Sequence, residues 1–67
     1  MADAQLLETR RKELKVSKTR LAKALHVTRP TLYKILKSPQ RATFSQTQVF
    51  AHELLLTSQE TEQIFLE

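Results

Sequence analysis

The sequence predicts an all-α fold of five short helices. Glycine is absent from the 67 residues and proline occurs only twice, whereas small strand-rich domains depend on glycine for their tight turns. Helix-capping residues recur at short intervals, and apolar residues follow them at helical spacing. A chain of this length can bury only a small core, so we expect residues 1–67 to form a single domain.

The first two helices are indicated by apolar spacing and by one strong cap. The first helix is expected over residues 4–14, with Leu7 and Leu14 on its apolar face. Ser17 is a favourable N-cap for a second helix, Lys18–Leu25. The apolar face of that helix consists of Leu21, Ala22 and Leu25.

The third helix begins with an unusual Thr-Arg-Pro sequence. Thr28 is the expected cap of a helix over Arg29–Lys37, and Pro30 belongs in its first turn, where a missing N–H costs nothing. Pro39 prevents the helix from continuing. The side chains predicted to face the core are Leu32, Ile35 and Leu36. Those left outside are Thr28, Arg29, Thr31, Tyr33, Lys34 and Lys37.

The last two helices share the same start signal, a capping box in which threonine precedes Gln or Glu by three residues. It occurs at Thr43, before a helix predicted over residues 44–55, and at Thr57, before one over residues 58–66. The side chains available for burial on these helices are Phe44, Phe50, Ala51, Leu54, Ile64 and Phe65.

Charge is distributed very unevenly along the chain. All eleven Lys and Arg residues lie within residues 10–41, which hold a single acid, Glu13. Residues 42–67 hold no Lys or Arg but four glutamates. A basic segment of this density indicates a polyanionic partner, most often nucleic acid.

Several functional classes are disfavoured by what the sequence lacks. There is no cysteine, so no disulfide or thiolate metal site is expected, and His26 and His52 are too far apart in sequence to suggest a metal site. No nucleophile–base pair suggests an enzyme, and no cofactor is expected. No apolar run approaches the roughly 20 residues that span a bilayer, and the N-terminus lacks the order of a signal peptide. We therefore expect no membrane partner and a cytoplasmic location, in a bacterial or phage-infected cell.

The second and third predicted helices form a helix-turn-helix over about residues 17–37. Two short helices joined by a tight turn, the second presenting polar and basic side chains, are typical of this motif. The major groove of B-DNA is wide enough to admit a helix. A helix whose apolar face is held by its neighbours can therefore place its opposite face in that groove.

The segment VSKTRLAKALHVTRPTLYKIL resembles the helix-turn-helix of the Cro and repressor proteins of temperate phages and their bacterial relatives. The segment LLETRRKEL resembles the first helix of that family, and TFSQTQVFAHELLLTSQE resembles its fourth helix and the start of its fifth. The motif positions are filled by Val16, Ser17, Leu21, Ala22, Leu25, Val27, Thr28, Thr31, Leu32 and Ile35. The resemblance implies a five-helix, lambda-repressor-like DNA-binding domain.

The implied activity is sequence-specific transcriptional regulation by a homodimer on double-stranded DNA, with helix 29–37 in the major groove. The residues that the resemblance places against bases are Thr28, Arg29, Tyr33 and Lys34. Those it places against phosphates are Lys18, Lys37 and Arg41.

The sequence departs from the family pattern at several positions. His26 and Leu55 stand where the family usually has glycine, and we expect His26 to adopt the left-handed turn conformation itself, at a cost of about 1 kcal/mol. Leu36 replaces the glutamate that often pairs with an arginine of the first helix, so Arg11 should reach solvent or pair elsewhere. Pro30 replaces a residue that often contacts a base.

The acidic half carries apolar side chains that one helix face cannot bury together. Val49, Leu55 and Leu66 are predicted to form a protein interface, either for self-association or for another protein partner. An alternative is a small antirepressor that keeps the fold but binds a phage repressor protein. A further alternative is the DNA-binding component of an antitoxin, which shares the same chemistry.

Overall fold

The computed structural model describes residues 2–66, and within that range the chain is helical without a β-strand. The helices are α1 (Ala4–Glu13), α2 (Lys18–Leu25), α3 (Arg29–Lys37), α4 (Phe44–Glu53) and α5 (Ser58–Phe65), with a 3₁₀ turn at Pro39–Arg41. The all-α prediction is confirmed, and α2 and α3 have the predicted bounds. The other three helices end one or two residues earlier than predicted.

The helix starts follow the capping signals in the sequence, with one exception. Ser17 accepts a hydrogen bond from the Arg20 N–H at 3.0 Å, and both threonine capping boxes form. Thr28 occupies the cap position of α3 but its side chain makes no capping bond. The N–H groups that usually donate to a cap lie two and three residues on; Pro30 has no N–H, and the Thr31 N–H does not donate to the Thr28 side chain. The Thr28 hydroxyl instead donates to the Thr31 hydroxyl at 3.2 Å.

The five helices share one apolar core. α1 packs against α3 and α5, α2 packs against α3 and α4, and α4 packs against α5. The rings of Phe50 and Phe65 lie 5.3 Å apart where α4 meets α5. The buried side chains are Leu7, Val16, Leu21, Ala22, Leu25, Leu32, Ile35, Leu36, Phe50, Leu54, Ile64 and Phe65. In this arrangement α3 is held along its apolar face and exposes the other.

Two residues predicted to be buried are exposed. Leu14 is 38% exposed because α1 ends before it and the chain turns at Lys15, so that Val16 enters the core instead. Phe44 is 74% exposed. It begins α4, and because helical side chains lean towards the N-terminus, its ring projects beyond the end of the core. Ala51, also predicted to be buried, is half-buried.

Three helices end in a left-handed residue that is not glycine. Lys15, His26 and Leu55 have φ angles of 55°, 57° and 53° and follow α1, α2 and α4. In each case the next residue donates its N–H to the carbonyl five positions earlier, as in the Schellman motif. Those next residues are Val16, Val27 and Leu56, and all three pack on the core. The prediction for His26 is confirmed, and Leu55 adopts the same conformation.

Arg11 pairs with a carboxylate on its own helix. Its side chain, mostly buried, makes two hydrogen bonds to Glu8 at 3.0 and 2.9 Å and donates to the Val16 carbonyl at 3.0 Å. Leu36, at the usual position of the partner glutamate, is buried. The expectation that Arg11 would pair elsewhere is therefore confirmed. The hydrogen bond from Arg11 lowers the pKa of the Glu8 carboxyl below its ordinary value.

The ends of α1 and α5 are also joined. The Asp3 carboxylate caps α1 by accepting from the Leu6 N–H at 2.9 Å and accepts from the Gln63 amide at 2.9 Å. The Arg10 guanidinium forms an ion pair with Glu60, one member of the α5 capping box. None of the helices within residues 2–66 combines the length and the apolar character needed to cross a membrane.

We expect Leu55→Gly to stabilise the fold. Glycine would relieve about 1–2 kcal/mol of left-handed strain and lose about 0.5–1 kcal/mol through the greater freedom of the unfolded chain. The net gain in the free energy of unfolding, measured by urea denaturation, should be about 0.5–1 kcal/mol. Leu66→Gly is the matched control, since Leu66 is similarly exposed but has φ −110°. A gain at Leu66 equal to that at Leu55 would contradict the strain argument.

We expect Glu8→Ala to lower the free energy of unfolding by about 1–3 kcal/mol at neutral pH, because Arg11 would lose its carboxylate. Since the pKa of Glu8 is lowered in the folded state, the stabilisation is present above the ordinary pKa of 4.5 and is lost as pH falls through the lowered value. The difference between wild type and variant should therefore shrink in acid. The control is Glu13→Ala, which removes an exposed carboxylate and should change stability by about 0.5 kcal/mol or less. A pH-independent difference would show that Glu8 acts through packing alone.

Candidate nucleic-acid interface

The α2–turn–α3 unit has the geometry of a helix-turn-helix. Three residues separate the helices, and the left-handed His26 reverses the chain between them. The Val27 N–H donates to the Ala22 carbonyl at 3.0 Å, closing the end of α2. The three apolar side chains of α3 turn inwards against α1 and α2. One long face of α3 is therefore open to solvent along its whole length.

The residues predicted to contact bases all lie on this open face. Thr28, Arg29, Tyr33 and Lys34 are all exposed, and the Tyr33 side chain is 45% exposed. Arg29 and Tyr33 are one helical turn apart and touch, whereas Lys34 points away from that pair by its position in the helix. The face thus presents a hydroxyl-rich first turn followed by longer cationic and aromatic side chains.

The residues predicted to contact phosphates border this face. Lys37 ends α3 and Arg41 ends the 3₁₀ turn, and both are exposed. Lys18 begins α2 and is only partly exposed, because its Nζ lies 4.6 Å from the centre of the Tyr33 ring. The three cations are therefore spread over two helix ends and a turn around the α3 face.

Tyr33 lies in a cationic environment. The Arg29 Nη2 donates to the Tyr33 hydroxyl at 2.9 Å, and the Arg29 Nη1 donates to the Thr19 hydroxyl at 3.4 Å. The hydrogen bond and the charge of Arg29, with smaller effects from Lys18 and Arg11, hold the pKa of Tyr33 below its ordinary value. Thr19 was not among the predicted site residues. Its exposed position in the first turn of α2, directly after Lys18, is the signal that could have identified it.

Part of the basic segment is neutralised within the fold. Arg10 pairs with Glu60 and Glu13, Arg11 pairs with Glu8, and Arg20 pairs with Glu53 at 3.1 Å. These pairs neutralise three of the eleven cations of the basic segment. The cations outside these pairs include all five charged residues among the predicted DNA contacts, namely Lys18, Arg29, Lys34, Lys37 and Arg41.

The three residues predicted to form a protein interface line different hollows of the surface. Leu55 (71% exposed) borders a hollow with Leu14, and the partly buried Val49 borders another beside Ala24. Leu66 (69% exposed) lines a groove between α4 and α5 together with Phe44. Phe44 was missed as a surface residue because its spacing assigned it to the core. Leu66 and Phe44 therefore form a more continuous apolar surface than the three predicted residues do.

No group of three or more His, Asp or Glu side chains in residues 2–66 is arranged to hold a metal ion. His26 serves as a turn residue and His52 is exposed on α4. The polar side chains predicted to contact DNA on the open α3 face and at its border carry hydroxyl, phenol, ammonium and guanidinium groups, which suit hydrogen bonding to phosphates and base edges.

Comparison with known proteins agrees with this geometry. A family model described as helix-turn-helix matches residues 7–51, two thirds of the 67-residue chain. The matched segment begins at the buried Leu7 of α1, includes α2 and α3, and ends within α4. No curated protein and no solved structure matches the chain.

Proposed function

The chain belongs to the helix-turn-helix family of Cro and repressor type, and from this membership we propose that it regulates transcription by binding a specific DNA sequence. A domain of this family is a DNA-binding transcription regulator. The observation that carries the proposal is the open face of α3, whose polar and cationic side chains are backed by a fully apolar face packed in the core. Such a helix can enter the major groove without unfolding its supports.

In the proposed complex, Arg29 and Lys34 read base edges. Arginine can donate two parallel hydrogen bonds to guanine, and lysine can reach guanine or a phosphate. Thr28 and Tyr33 lie beside them, where a hydroxyl or a ring can approach a thymine methyl or a phosphate. Pro30 offers no N–H and no polar side chain, so the first turn of α3 depends on its neighbours for contacts.

The phosphate contacts are assigned to Lys18, Lys37 and Arg41. The start of α2 is also a helix N-terminus, whose N–H groups favour a negative partner. These cations position the helix and carry little sequence information, whereas the bases supply specificity. The acidic α4 and α5, which have no Lys or Arg, should face away from the phosphates because like charges repel.

We propose further that two copies bind together. The nine residues of α3 are about 13 Å long and cover only about four base pairs. The Cα atoms extend over 26 Å at most, less than the roughly 34 Å between half-sites one helical turn apart. One copy can therefore fill only one half-site. The α4–α5 groove with Phe44 and Leu66, and the neighbouring Leu55 and Val49, are the apolar surfaces available for the second copy.

The same apolar surfaces support a second candidate, an antirepressor that binds a phage repressor protein. The 74% exposure of Phe44 favours some protein partner at the α4–α5 groove. An antitoxin component would use α3 as the regulator does. A DNA-binding measurement on the isolated chain distinguishes the antirepressor from the transcription regulator and the antitoxin component. Each of these readings places the protein in the cytoplasm of a bacterial or phage-infected cell.

We expect Arg29→Ala to weaken binding to the specific site by about 1–3 kcal/mol and to relax the preference at one base pair. The site can be isolated by selecting a randomised duplex pool for affinity, and binding measured by fluorescence anisotropy. Arg41→Ala is the matched control, since it should weaken selected and random duplexes alike. For wild type, about six phosphate contacts would give a slope near −5 for log affinity against log salt concentration. No binding to any duplex at low salt would refute the regulator and leave the antirepressor.

We expect Leu66→Lys, and separately Leu55→Lys, to weaken self-association on DNA without loss of helicity, because both side chains are exposed in the single chain. A buried lysine without a partner would raise the dissociation constant by roughly tenfold or more. Sedimentation velocity and circular dichroism give the two readouts. Gln59→Lys adds the same charge to exposed α5 surface outside the groove and should leave association unchanged. Equal association in all three variants would exclude these surfaces as the dimer interface.

A further inference from the structure

Tyr33 connects the two helices of the helix-turn-helix through its ring and its hydroxyl. The Lys18 ammonium at the start of α2 lies 4.6 Å from the ring centre, within cation–π range. The hydroxyl accepts from Arg29, one turn earlier on α3, at 2.9 Å. The Arg29 guanidinium in turn donates to Thr19, next to Lys18, at 3.4 Å. Together these contacts form a closed network that runs from α2 to α3 and back to α2.

This network of contacts restrains the side chain of Arg29, which is otherwise on open surface. A free arginine side chain loses much of its conformational entropy when it is fixed. Here two of its N–H groups are engaged, by Tyr33 and Thr19, and its other donors remain available. Binding that uses an arginine already held in place avoids much of the ordering cost.

We propose that Tyr33 and Thr19 are positioning residues, which orient Arg29 for its base contact, and that Tyr33 does not itself read a base. The proposal rests on the proposed function, because it assigns roles within the same DNA-reading face. It replaces the expectation that Tyr33 is a direct base contact. Its physical basis is that the Tyr33 hydroxyl already accepts from Arg29 and that its ring already carries Lys18.

Two other roles for the same contacts predict different results. If Tyr33 reads a base directly, its loss weakens binding whether or not Arg29 is present. If the contacts sequester Arg29, they must break before DNA binds, and their loss strengthens binding. Positioning predicts weaker binding, and only when Arg29 is present.

The first experiment is a double-mutant cycle with Tyr33→Phe and Arg29→Ala on the selected duplex. Tyr33→Phe removes the hydroxyl and keeps the ring beneath Lys18. It should weaken specific binding about three- to tenfold, with binding to random duplex and the salt dependence unchanged. In the Arg29→Ala background the same substitution should have no effect. Thr19→Val, which preserves shape, should act in the same direction as Tyr33→Phe and less strongly. A loss that persists without Arg29, or tighter binding by Tyr33→Phe, overturns the proposal.

The second experiment needs no DNA and tests the geometry in the free protein. Tyr33 is the only tyrosine and the chain has no tryptophan, so the ultraviolet absorbance of tyrosinate reports on this residue alone. The charged groups around the ring are Lys18, Arg29, Lys37, Arg11 and Glu8. The hydrogen bond and positive charge of Arg29 favour the phenolate, so Arg29→Ala should raise the pKa of Tyr33 towards its ordinary value.

Arg41→Ala is the control for the titration, since it removes an arginine that lies on the 3₁₀ turn and outside the network of contacts around Tyr33. Circular dichroism over the same pH range confirms that the helices persist. An identical pKa for Tyr33 in wild type and Arg29→Ala would overturn the proposed contact. If wild type binds no DNA, the proposed function fails, while this titration still decides whether Tyr33 holds Arg29.

Discussion

The placement of α3 relative to α2 depends on a left-handed turn residue, His26, that is not glycine. Two local interactions offset the strain of that conformation. The Val27 N–H closes the end of α2 on the Ala22 carbonyl, and the Val27 side chain packs on the core. Because Val27 must reach the core, the direction in which α3 leaves the turn is set by packing. The orientation of every exposed side chain on α3 follows from that direction.

Ion pairs decide which part of the basic segment remains available to a ligand. Arg10 and Arg20 each reach across the chain to a glutamate of the acidic half, and Arg11 is held by Glu8. The Arg10 and Arg20 pairs join sequence segments of opposite charge, and the three pairs together neutralise three arginines of the basic segment. Of the cations left outside them, five lie at the start of α2, along α3 and on the 3₁₀ turn, whereas Lys12, Lys15 and Lys23 lie elsewhere on α1, its turn and α2. The internal pairing therefore sharpens the electrostatic contrast on which proposed DNA binding depends.

Local signals in the sequence predicted α2 and α3 correctly, because Ser17, Pro30 and Pro39 mark boundaries through short-range geometry. Helical spacing failed for Leu14 and Phe44, since a period identifies a face but not where the core beneath it ends. The contact between Arg29 and Thr19 could not be predicted either, because it joins two helices whose angle is fixed only by packing. Which residues of the exposed face touch DNA remains a proposal, since the fold determines their exposure but not their partners.

Pro30 stands where the family often has a residue that contacts a base. On the open face of α3, the proposed DNA contacts therefore come mainly from longer side chains. Pro30 offers no N–H to the Thr28 hydroxyl, which bonds to the Thr31 hydroxyl within the first turn. Two hydroxyls that could each serve a base or phosphate thus satisfy one another in the free protein. In the proposed complex, sequence reading would fall mainly to Arg29 and Lys34, whose length carries charge further from the helix axis. Long side chains lose the most entropy on binding, which makes a neighbour that holds Arg29 in place more valuable here than on a helix with short polar contacts.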